Sequence, residues 1–189
     1  GQDNKVGNST TASTVTGATS TIDIDQIGNT NVLTFDVNGA TFTGTFSTTG
    51  NSNDIDFNCD SAGTVSSCAT ATASIVWVGS SNDIDIDIGE TADAANATVT
   101  ITGASGSDSN VVAATIDGTS AILTLSVNGD TNNYLIDINN DGDVNGHTLI
   151  HTHVGSIADV DITQSGLYDN MITLTTSGDN HDIDITQDD

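Results

Sequence analysis

The stretch Gly79-Ser80-Ser81-Asn82-Asp83-Ile84-Asp85-Ile86-Asp87-Ile88-Gly89 alternates three carboxylates with three isoleucines and has no cation beside it. Period-two alternation marks a strand with one buried and one solvated face, because successive side chains leave a pleated backbone on opposite sides. Ile84, Ile86 and Ile88 then point inward, and Asp83, Asp85 and Asp87 outward. The same split recurs at Ile22/Ile24 against Asp23/Asp25, Ile55/Phe57 against Asp54/Asp56, Val160/Ile162 against Asp159/Asp161, and Ile183/Ile185 against Asp182/Asp184. Asp is a poor strand former, so its regular use on one face needs a reason. No stretch carries a convincing helical period.

Around this stretch the chain repeats itself. A Gly is followed within a few residues by Asn or Asp and then by an alternating run, as at Gly28, Gly50, Gly79, Gly106, Gly129, Gly155, Gly166 and Gly178. Gly17, Gly28, Gly39 and Gly50 are eleven apart, and Gly155, Gly166 and Gly178 are eleven and twelve apart. A unit of about eleven residues fits one strand and one turn, with Gly and Asn supplying the positive φ that tight turns need. Two units make a coil of about 22–23 residues, and about eight coils fill the chain, with insertions around 60–72 and 89–96. One coil cannot bury its own apolar face; stacked coils bury a continuous stripe of Ile, Val and Leu between two sheets. The expected fold is therefore all-β, a β-solenoid of stacked β-arch coils with a thin two-sheet core and open ends. Residues 17–189 form the repeat domain. Residues 1–16, polar and β-prone, form an N-terminal extended segment that is a candidate inter-subunit strand.

The composition narrows the partners. One Lys (Lys5), no Arg, 25 Asp and one Glu (Glu90) give a formal net charge of −25 over 189 residues. Such a chain repels nucleic-acid phosphates and anionic membrane surfaces. No apolar run approaches the roughly 20 residues of a membrane span. The polar start, without a Met, reads as a mature exported chain whose signal peptide has been cleaved, which places it outside the cell or on its surface.

Outward Asp residues on stacked coils set carboxylate beside carboxylate, a destabilising arrangement across a ladder. Screening, raised pKa values or bound divalent cations relieve it. Two readings of Asp83, Asp85 and Asp87 stay open: Ca²⁺ held along the ladders through oxygen ligands, or a solvated face that blocks sheet aggregation. The segment Asp137-Ile138-Asn139-Asn140-Asp141-Gly142-Asp143-Val144-Asn145 matches the first half of a D-x-[DN]-x-[DN]-G calcium loop. Asp137, Asn139, Asp141, Asp143 and Asn145 are candidate Ca²⁺ ligands, although Thr148 stands where such a loop carries its last acid; the alternative is an Asx-rich turn.

His151 and His153 share a strand face, which suits either a Zn²⁺ or Cu²⁺ ligand pair or stacked neutral strand residues, the reading favoured here. Cys59 and Cys68 are the only cysteines, and in an exported chain they suit a disulfide closing a short loop. No carboxylate pair, Ser/His/Asp set or phosphate loop stands out, so the expectation is a non-enzyme. The Thr-x-Thr runs at 41–43, 98–102 and 173–175 are explained by strand preference.

The unit Gln26-Ile27-Gly28-Asn29-Thr30-Asn31-Val32-Leu33-Thr34 resembles the Q-x-G-x-x-N turn of curlin repeats, the building blocks of curli-type extracellular fibres. Gln164-Ser165-Gly166 with Asn170 is a longer-turn version, and Ile185-Thr186-Gln187 closes the chain in the same style. The resemblance implies an exported β-solenoid that polymerises end to end with copies of itself. The expected function is thus a structural subunit of a self-assembling extracellular or biofilm filament with an acidic, Ca²⁺-binding surface. The competing expectation is a binding module: a Ca²⁺-dependent adhesin or phage fibre segment.

Overall fold

The computed structural model describes residues 5–7, 12–59, 69–89, 96–118, 120–139, 146–166 and 170–188. These residues contain no helix and sixteen strands: β1 (Lys5–Val6), β2 (Ser13–Thr16), β3 (Thr19–Ile27), β4 (Val32–Asn38), β5 (Thr41–Thr49), β6 (Asp54–Cys59), β7 (Thr70–Val78), β8 (Asp83–Ile88), β9 (Asn96–Gly103), β10 (Val111–Asp117), β11 (Ala121–Asn128), β12 (Asn132–Asn139), β13 (Thr148–Val154), β14 (Ala158–Ser165), β15 (Met171–Ser177) and β16 (Asp182–Asp188). From β4 onward, even strands stack in one sheet (sheet I), with β1 and β2 side by side on the outer edge of β4. Odd strands from β3 to β15 stack in the other (sheet II). Every pairing is parallel. The chain is a β-solenoid.

The coil length matches the repeat only where no insertion falls. Paired positions are 22 residues apart from Val32 to Asp54 and from Val111 to Asn133. They are 29 apart from Asp54 to Asp83, 28 from Asp83 to Val111 and 23 from Asp159 to Asp182. Seven complete coils result instead of eight, because β1 and β2 together form only a half-coil. In this chain the N-terminal segment therefore pairs with its own β4.

The passage from sheet II to sheet I is the same in each coil. It is the turn Gly28-Asn29-Thr30-Asn31 and its equivalents Gly50–Asn53, Gly79–Asn82, Ser107–Asn110, Gly129–Asn132, Gly155–Ala158 and Gly178–His181. Its third residue is left-handed every time, at φ 57–61° for Thr30, Ser52, Ser81, Ser109, Thr131, Ile157 and Asn180. For non-glycine residues this costs about 1–2 kcal/mol each. Hydrogen bonds to the next coil offset it: the Thr30, Ser52 and Ile157 amides donate to the carbonyls of Asn51, Ser80 and Asp179 at 2.9, 3.0 and 2.8 Å. The leading glycines stack so closely that a Cβ on Gly50 or Gly79 would collide with the glycine carbonyl one coil earlier.

The fourth residue of the turn forms a buried asparagine ladder. Asn31, Asn53, Asn82, Asn110 and Asn132 are all at most 2% exposed. The side-chain amide of Asn31 donates to Oδ1 of Asn53 (2.9 Å), that of Asn53 to Asn82 (3.0 Å), Asn82 to Asn110 (3.0 Å) and Asn110 to Asn132 (2.9 Å). Each acceptor oxygen also takes the backbone N–H of the preceding rung, at 2.9–3.0 Å. The second side-chain N–H closes the turn on the residue three back, for example Asn82 to the Gly79 carbonyl at 2.9 Å. One side chain thus satisfies three backbone-facing demands in a place where water does not reach.

Between the sheets lies a single apolar stripe. Its wide end holds Phe35, Phe42, Phe46 and Phe57, with ring centroids 5.1–6.4 Å apart. Gly44, between Phe42 and Phe46, leaves the space those rings fill, and Gly103 does the same under Trp77. Large residues in one coil are thus matched by small ones in the same or next coil, which is how a thin core reaches close packing.

Candidate functional site

The outward face of sheet I concentrates the charge. Asp54 pairs in register with Asp83, Asp56 with Asp85, and Asn58 with Asp87. A second group forms at the far end, where Asp159 pairs with Asp182 and Asp161 with Asp184. Of the fifteen Asp residues in strands, thirteen lie in sheet I and only Asp23 and Asp25 in sheet II. Between the two acidic groups the rows are neutral, through Val111, Ala113, Asn133 and Leu135.

Adjacent rungs lie about 4.8 Å apart, and the carboxylates respond. Burial, then Asp83 and Asp85, raises the Asp54 pKa above the ordinary carboxylate value. Burial followed by Asp85, Asp54 and Asp36 raises Asp56. Burial and then Asp83 raise Asp85, against a lowering hydrogen bond from the Ile86 backbone. Burial raises Asp137. The first acidic group is therefore a set of mutually repelling, partly desolvated carboxylates. Asp85→Asn is expected to raise the melting temperature at low ionic strength. The gain should shrink toward 1 M salt, where the Debye length is only about 3 Å; equal melting temperatures at low salt would show that the repulsion is already relieved.

The sequence-derived ligands are distributed unevenly. Asp83, Asp85 and Asp87 share the outer face of β8. Asp137 lies in β12, paired with Thr115 on one side and Thr163 on the other, so no carboxylate adjoins it in its row. Asn139 ends β12, and Asp141, Asp143 and Asn145 lie outside the described residues, as does Cys68. Among the described residues no three His, Cys, Asp or Glu side chains are grouped to hold a metal ion. What the acidic face offers is paired carboxylates on neighbouring rungs. Cys59, the last residue of β6, is fully buried and disulfide-bonded.

The histidines are core and ladder residues. His151 and His153 share a face, and that face is the interior. His153 Nδ1 lies 2.8 Å from the Tyr134 hydroxyl, and the His151 ring sits edge-on to Tyr134 at 4.5 Å. Burial, and then His153, pushes the His151 pKa down to about 3. His147 and His181 stand where other coils use Asn. Nδ1 of His147 accepts the Ala121 amide at 3.1 Å, and Nδ1 of His181 accepts the Ala158 amide at 3.3 Å. His147 in turn donates its own N–H to Asn170 Oδ1 at 3.1 Å. Sequence reasoning found nothing in His181. The signal was its place as the fourth residue of a turn that begins at Gly178, the ladder position of five earlier coils.

The solenoid ends are also candidate surfaces. At the C-terminal end, the inward row of β16 is uncovered, with Ile183 38% and Ile185 46% exposed. Ile172 and Leu174 of β15 are half-buried there. At the other end Ile22, Ile24 and Val15 are half-buried. Gln187 donates to Gln164 Oε1 at 3.1 Å, so the last coil repeats the one beneath it to its final rung. These features define a parallel two-sheet β-solenoid with an acidic face and uncovered terminal coils. The chain matches no protein-family model, no curated protein and no solved structure.

Proposed function

We propose that this chain is a structural, non-catalytic subunit of an extracellular filament, a curlin-like solenoid that stacks end to end on copies of itself. The observation carrying the reading is the match between the two end faces. Continuing the glycine column so that Gly178 meets Gly28 of a second copy sets Ile172 over Ile22, Leu174 over Ile24 and Thr176 over Gln26. Each meeting is inward-facing, and each resembles a pair already stacked inside the chain. Residues 5–16 give up their place on β4 to β16 of the neighbouring copy, which keeps both sheets in phase. Backbone groups at the edge and apolar side chains behind it are satisfied together. Export to the cell exterior belongs to this reading, and so does Ca²⁺ bridging the facing carboxylates of Asp54/Asp83 and Asp56/Asp85.

Negative-stain electron microscopy of the purified chain, with Ca²⁺ and after chelation, tests it. Long uniform fibres in Ca²⁺ that shorten or fray in chelator are the expected result. Fibres indifferent to chelation would remove the cations and keep the filament. Short discrete rods under both conditions would overturn the filament and leave the adhesin or fibre-segment reading.

A further inference from the structure

We infer that the outer face of sheet II is a lateral interface through which two copies of this chain pair face to face. The argument does not depend on the filament reading. A chain of net charge −25 can approach a second copy only where its own charge is absent. From β5 to β15 the outward positions of sheet II carry no ionisable side chain among the described residues; they are Thr and Ser with a few aliphatics. Thr98, Thr100 and Thr102 of β9 pair in register with Ile122, Thr124 and Ser126 of β11. The rows continue through every other strand of the sheet beyond β3. Strand preference accounts for threonine in a strand, but it does not account for acid being confined to the opposite sheet.

The face also has the size and texture of an interface. Seven strands about 4.8 Å apart, each presenting about seven residues at ~3.3 Å rise, make roughly 700–800 Å² per copy. A stable pair buries about 800 Å² per partner. Three aliphatic side chains lie exposed on it: Ile122 at 42%, Ile150 at 38% and Met171 at 48%. β-Branched threonine loses little rotamer freedom on burial. Short side chains in register suit two sheets meeting about 10 Å apart with their rows interdigitated. Asp23 and Asp25, in β3 at one end, leave the centre of the face neutral.

Sedimentation velocity over a concentration series at low and high salt tests the inference. The wild-type chain is expected to form a species of twice the monomer mass, or paired fibres where it also stacks by its ends. Salt should strengthen the pairing by screening the acidic faces. The double variant Thr100→Asp/Thr124→Asp, checked by circular dichroism for an intact fold, should lose lateral pairing by tenfold or more. Ala113→Asp, on the outer face of sheet I, should not. Thr100→Asp alone serves if the double variant misfolds. A wild-type chain that shows no lateral pairing at any salt overturns the inference, and so does pairing that survives both face variants. Single-width fibres from wild-type protein would overturn lateral pairing while keeping end stacking; a wild-type population that stops at the dimer would do the reverse.

Discussion

Asn82→Ala is expected to lower the stability of the solenoid by about 3–5 kcal/mol, the cost of leaving two or more buried polar groups unpaired. The side chain makes four hydrogen bonds. It donates to Asn110 Oδ1 and to the Gly79 carbonyl, and it accepts from the backbone and side-chain amides of Asn53. Alanine leaves the Asn53 N–H without its acceptor and the Gly79 carbonyl without its donor, in a site that is 1% exposed. The turn has a left-handed Ser81 at φ 60°, whose conformational cost then lacks part of its compensation. Asn82→Asp should be at least as damaging at neutral pH. It keeps the shape, removes both donors and buries a charge. Solenoid unfolding need not be two-state, so the decisive readout is hydrogen exchange at the Asn53 amide beside chemical denaturation. Ser80→Ala, at the exposed second position of the same turn, should change stability by less than about 1 kcal/mol. If Asn82→Ala behaves like Ser80→Ala, the ladder is decoration.

Acidification is expected to loosen the C-terminal coils before the rest of the molecule. Burial and then His153 lower His151, burial lowers His147, and burial and then His181 lower His153, partly offset by the Gly155 backbone and Asp130. A histidine whose folded pKa lies below its unfolded value near 6.5 leaves the unfolded chain to take up protons first. The stability contributed by neutral rings is thus complete above about pH 6.5 and is lost as the pH falls toward the folded value. For His151, with a folded pKa of about 3, the loss amounts to about 4 kcal/mol by pH 3. Protonation of His147 would also deprive the Ala121 amide of its acceptor, since Nδ1 is the accepting atom. The carboxylates act in the opposite sense. Asp54, Asp56 and Asp85 have raised pKa values, so the folded chain takes up their protons more readily than the unfolded one, and acid favours folding there. Exchange corrected for intrinsic rates at pH 7 and pH 4.5 should show β13 and β14 losing protection while β6 and β8 hold or gain it. His151→Leu should lower the pH midpoint of the C-terminal loss. A uniform change along the chain, or a midpoint unmoved by His151→Leu, would refute this division.

Particular residues show how much of this was legible beforehand. The alternation at 83–88 gave the correct faces, and the glycine spacing gave the coil, because both follow from local backbone geometry that repeats at short range. The coil count came out one too high because 5–16 offers strand-forming residues but pairs in two short pieces along one edge of β4. His151 and His153 were placed on one face by alternation, and the favoured reading as stacked strand residues agrees with their position in the core. The asparagine ladder was half visible: Asn at a fixed place after Gly was noted as a turn former, whereas its hydrogen bonds join residues 22–29 apart in the chain.

The sequence by itself determined the all-β class, the coil of two strands and two turns, the inward apolar row and the outward acidic row. These depend on side-chain alternation and on which residues tolerate a left-handed turn, both properties of a few neighbouring residues. Only the tertiary structure decided which sheet each strand joins. Asp-Ile runs mostly follow the Gly-x-x-Asn turn and Thr-rich runs mostly precede it, so successive coils sort acid onto sheet I and threonine onto sheet II. That sorting, like the side-chain ladders, comes from parallel strands about 4.8 Å apart bringing together residues separated by a whole coil, a distance at which local patterning carries no register.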